Sequence, residues 1–79
     1  MNRVLVGLIA EYAVFLERAS EGTSLETVVR QQEDMAARLQ QLDSSERERF
    51  LDLLQQIAGE TTGEEREILL RLPEDAGLI

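Results

Sequence analysis

The chain has no cysteine, no histidine, no tryptophan and no lysine among its 79 residues. Each absence excludes something. Without cysteine there is no disulfide staple, no thiolate nucleophile and no sulfur ligand for a metal. Without histidine the commonest general base and the commonest metal ligand are gone. A serine or threonine nucleophile would lack its usual base. The five glycines are scattered, so no glycine-rich phosphate loop is built. The expectation is therefore no enzyme, no catalytic residue, no cofactor and no metal. Aromatics make up only 4% of the chain, so its core must be aliphatic. A chain of this length buries about 60–65% of its unfolded surface. With no disulfide or metal to help, oligomerisation is the remaining way to enlarge the core.

Long apolar runs are also missing. A membrane span needs about 20 apolar residues. The most apolar stretch, Val4 to Ala10, is interrupted at Glu11. Asn2-Arg3 before it gives a faint likeness to a signal peptide, but no clean small-x-small site follows. The favoured reading is a buried helix of a cytoplasmic protein; a short strand over VLVGLI is the lesser alternative.

Positive charge is scarce. Eight arginines face sixteen acidic residues, a net charge of −8. Such a surface repels nucleic acid and anionic lipid and favours solubility. Arg30, Arg38, Arg47 and Arg49 would be the only phosphate contacts. The expected partner is thus a protein or a second copy, with no nucleic acid, no membrane and no small-molecule substrate. Arginine without lysine, in an Ala-, Leu- and Glu-rich chain, suggests a GC-rich bacterial genome.

What is present reads as helix. In Asp43 to Ala58, the residues Phe50, Leu51, Leu53, Leu54, Ile57 and Ala58 fall in an apolar arc of roughly 160° at about 100° per residue. Glu48, Arg49, Asp52, Gln55 and Gln56 fill the other side. Ser45 with Glu48 fits a capping box, and Gly59 fits a left-handed helix end. The other elements should pack around this helix.

Three more helices follow from the same reasoning. The first covers about 3–19. Arg3, Gly7, Glu11 and Arg18 share one narrow stripe and leave about two-thirds of the circumference apolar, as in a central helix or a subunit interface. The second covers 24–42, opened by a Thr23–Glu26 capping box. Leu25, Val28, Gln32, Met35, Leu39 and Leu42 there have the three-four spacing of a coiled-coil seam. Its polar member, Gln32, either reaches water at an edge or pairs across an interface. The third covers 45–58, two residues on, so the second and third should be antiparallel neighbours. A Thr62–Glu65 box opens a short fourth helix, 63–71, which Pro73 should stop. The reading is an all-α bundle of three to four helices, with the third docked between the first and second. A single domain spans 1–73. A tail spans 74–79, either folded back or free.

Two likenesses bear on function. Ser24-Leu25-Glu26-Thr27-Val28 at the start of the second helix is similar to acyl carrier proteins. In that family an Asp-Ser-Leu there carries a phosphopantetheine arm on its serine. Thr23 stands in place of that aspartate, and the first helix and loop are short for the family. Size and charge resemble the acidic immunity proteins of nuclease bacteriocins, but no stretch resembles their partner-binding helix. The chain is assigned to neither. The carboxylates Glu60, Glu64 and Glu67 share a face, yet a hard cation needs a shaped cage of oxygens, so a solvated acidic face is expected.

The function this favours is a small acidic helical protein-interaction module, self-associating as a homodimer. Its expected interface draws on Val4, Leu8, Tyr12 and Phe15 of the first helix and Val28, Gln32, Met35 and Leu39 of the second. The alternative is an inhibitor, immunity- or antitoxin-like protein whose acidic surface masks a basic partner. An acyl-carrier-like role is the third reading.

Overall fold

The computed structural model describes residues 1–19 and 25–79. Among them the chain forms four α-helices and no strand: α1 (Arg3–Ala19), α2 (Leu25–Gln40), α3 (Ser44–Gly59) and α4 (Gly63–Asp75). The VLVGLI segment lies within α1. The Thr23 cap and Ser24 fall outside the described residues.

The apolar arc of α3 is the heart of the core. Phe50, Leu53, Leu54 and Ala58 are buried, and Leu51 and Ile57 pack half-buried beside them. Phe50 and Leu54, with Val6 of α1, are the largest fully enclosed side chains. Two helices cover this arc, but they are α1 and α4. α1 also packs on α4, so these three make the central trio, and α2 leans on α1. The expected docking of α3 between α1 and α2 is corrected by this arrangement. The physical reason is the apolar supply. α2 buries only Val28 and Leu39. α4 buries Ile68, Leu69 and Leu72, and the turn after it adds Ala76 and Leu78. The expected packing of α2 and α3 as antiparallel neighbours is corrected too: they touch little beyond their short link, where the Arg47 guanidinium donates to the Gln40 carbonyl at 3.0 Å.

The helix ends differ from the spacing rules in instructive ways. Asn2 caps α1, its Oδ1 accepting from the Leu5 N–H at 3.0 Å. At α3 the cap is Asp43, whose carboxylate accepts from the Glu46 N–H at 2.8 Å. Aspartate caps as well as serine does, so the earlier residue takes the role expected of Ser45 and the helix starts sooner. Thr62 stands at the start of α4 but makes no side-chain capping bond, and Glu65 instead faces Arg18 of α1. Gly59 stays inside α3. Among the described residues the left-handed positions belong to Gly63 and Gly77, at φ +66° and +74°.

The expected stop at Pro73 is also corrected. α4 runs on to Asp75. A proline in the last turn forfeits a single backbone bond, and the turn beyond compensates for it. The Leu78 N–H donates to the Pro73 carbonyl at 2.8 Å, and the Gly77 N–H donates to that of Glu74 at 3.0 Å. With Gly77 left-handed, this is a Schellman closure. It turns Leu78 back into the cluster that holds Leu72. Residues 76–78 are thus part of the bundle, while Ile79 is exposed. Gln40 of α2 fastens the same turn by donating to the Ala76 carbonyl at 2.8 Å.

Candidate interaction surface

α1 has two apolar faces. Val6, Ala10, Ala13 and Leu16 point into the bundle. On the other side Val4 is 72% exposed, Leu8 58%, Phe15 64%, Leu5 51% and Tyr12 40%. These five, with Met1, make up most of the large apolar side chains left open by the fold. Such a concentration on one helix is more than scattered surface hydrophobicity accounts for.

The interface expected from the sequence is therefore split. Val4, Leu8, Tyr12 and Phe15 lie together on the outer face. Val28 and Leu39 are buried inside the bundle and are unavailable to a partner. Gln32 and Met35 are half-buried in a cleft of about 210 Å³ between α1, α2 and α4. The Gln32 amide donates there to Glu17 of α1 at 3.4 Å, so its pairing is within the chain. The heptad seam of α2 turns inward from Val28 to Leu39, while its first residue, Leu25, is exposed. What periodicity cannot say is which of two apolar helices is covered by the other. Leu5 of α1 and Met1 just before it, both outside the expected interface, complete the exposed stripe.

The rim of the stripe is polar and ordered. On one side Arg3 pairs with Glu60, and Arg18 with Glu65 at 3.2 Å, pinning α1 to the ends of α3 and α4. On the other side the Tyr12 hydroxyl donates to Gln31 at 3.0 Å, and Arg38 pairs with Asp34 at 3.2 Å. These ion pairs are exposed and each contributes well under about 1 kcal/mol. Their effect is to hold the frame around the stripe.

Charge is distributed unevenly. In residues 1–19, Arg3 and Arg18 balance Glu11 and Glu17. The negative excess lies elsewhere, most densely in α4, where five acidic residues meet two arginines. Glu60, Glu64 and Glu67 do not form a metal cage, since Glu60 is engaged by Arg3. Among the described residues no group of three or more acidic side chains is placed to hold a metal ion. No described helix is long and apolar enough to cross a membrane. No protein-family model, curated protein or solved structure matches the chain.

Proposed function

We propose that the protein is a helical interaction module whose contact surface is the outer face of α1. The observation that carries this reading is the exposed apolar stripe on a helix whose opposite face is already buried. A helix that is apolar all round is ordinarily enclosed. Here the chain supplies cover for one side only. The ion-paired rim and the balanced charge of α1 suit the polar border and charge-poor centre of a protein interface. The second reading, an acidic protein that masks a basic partner, draws on the carboxylates of α4 and so on a different face.

Site-specific photo-cross-linking in cells separates the two. A benzophenone amino acid is placed at Leu8, on the stripe, and separately at Glu67, on α4. The interaction-module reading predicts adducts heavier than the chain from position 8 and none from position 67. Adducts from position 67 alone would favour the masking protein. No adduct from position 8 would remove the proposal.

A further inference from the structure

Four of the exposed residues of α1 fall on one seam along the outer face. Leu5, Leu8, Tyr12 and Phe15 are separated by three, four and three residues, and Val4 lies beside them. That is the alternation of a coiled-coil seam, carried here on the solvent side of the bundle. A seam with this spacing fits a second amphipathic helix lying almost parallel to α1. Among the described residues no helix is left for it, because α2, α3 and α4 are all engaged with the inner side.

We infer that the occupant is α1 of a second copy of this chain, packed antiparallel about a two-fold axis near Ala10. This rests on the interaction-module reading and names its partner. Three observations carry it. The first is the register. In an antiparallel pair, positions whose numbers sum to 20 face each other, and every seam residue then meets another seam residue. Leu5 meets Phe15 of the second copy and Leu8 meets Tyr12. The large rings fall opposite leucines, so large and small side chains alternate across the seam. A parallel pair would instead set Phe15 against Phe15 and Tyr12 against Tyr12, and would align the two helix dipoles unfavourably.

The second observation is charge. A chain carrying −8 repels its own copy everywhere except where its charge is balanced, and α1 is where it is balanced. A basic partner would be drawn to α4 instead. Glu11 meets its own copy close to the axis, but at an exposed rim where charge pairs carry little energy.

The third is area. With about 150–250 Å² for each aromatic side chain and somewhat less for each aliphatic one, the half-exposed stripe amounts to on the order of 500–600 Å² per copy. Two copies together cover on the order of 1,000–1,200 Å², at or just below the lower end of the range for specific, stable interfaces. The dimer is accordingly weak and reversible, with its population set by concentration.

The absence of cysteine makes the register directly readable. Leu5→Cys and Phe15→Cys are prepared as separate full-length variants, one carrying a mass label. Each alone, and an equal mixture, are oxidised under mild conditions. The proposal predicts that disulfides form in the mixture, joining position 5 of one copy to position 15 of the other. The single variants should cross-link at least tenfold less, because their sulfurs lie on the order of 15 Å apart along the helix at 1.5 Å per residue. Efficient 5–5 and 15–15 linkage would overturn the antiparallel register. No linkage in any sample at high concentration would overturn self-association. The interaction-module reading would then stand or fall by the mass of the adduct at position 8.

Discussion

At the scale of the residue, two glycines on this chain have opposite roles. Gly77 is left-handed at φ +74°, where an added Cβ would lie 2.8 Å from the Gln40 amide nitrogen. That amide holds the Ala76 carbonyl and thereby closes the end of α4 onto α2. Gly77→Ala should lose about 1–2 kcal/mol from the left-handed backbone alone, and more from displacing Gln40. Gly7 sits within α1 with nothing within 4 Å of a built Cβ. Gly7→Ala should gain about 1 kcal/mol of helix propensity. Urea melts of the two variants should therefore shift in opposite directions. A Gly77→Ala protein as stable as the parent would remove the Schellman closure from the account. Much of this was hard to read in the sequence. Ala-Gly-Leu after a proline looks like a frayed tail until Leu78 is seen in the core. Asp43 and Ser45 are both good caps two residues apart, and local chemistry alone does not choose between them.

At the scale of the element, α3 is the case in which sequence and structure coincide most closely. Its apolar arc is wide, free of polar atoms and flanked by charges, so its burial was legible from periodicity alone. Leu54 is 1% exposed in the centre of the cluster. Leu54→Ala should cost about 2–5 kcal/mol, a large share of what a domain this small possesses. Asp52 lies on the outer side and bonds only the exposed Gln56 amide. Asp52→Ala should stay within about 0.5 kcal/mol of the parent. Equal loss of stability in the two variants would invert the face assignment. The helices α1 and α2 show where periodicity stops being informative. Both carry apolar seams, and the sequence offered residues of both as one interface. The fold buries Val28 and Leu39 and leaves Val4, Leu8 and Phe15 outside. The choice depended on α4, whose Leu69 and Leu72, joined by Ala76 and Leu78 beyond Pro73, took the place beside α3 expected of α2.

At the scale of the whole molecule, the bundle solves the problem of a small chain only in part. Four helices enclose a contiguous aliphatic core, yet the most apolar of them keeps an uncovered face. The acidic surface repels further copies of the molecule, and the charge-balanced α1 is where that repulsion is absent. An apolar seam on the neutral side of a −8 protein is a surface suited to reversible pairing. The uncovered face was half legible in the sequence: the breadth of apolar residues on the first helix fitted either a central helix or a subunit interface, and which residues faced outward required the packing. The account rests on that outer face being covered by another chain.

Sedimentation equilibrium of the full chain tests this most directly, from about 1 µM to 1 mM to span the range of weak association. Leu8→Glu is measured alongside it, with far-UV circular dichroism of both. The account predicts that the average mass rises with concentration from 8.9 kDa toward that of a dimer. It predicts that Leu8→Glu keeps the same helical content and stays a monomer throughout. A parent chain that remains monomeric at every concentration, or a Leu8→Glu variant that associates equally well, would contradict it.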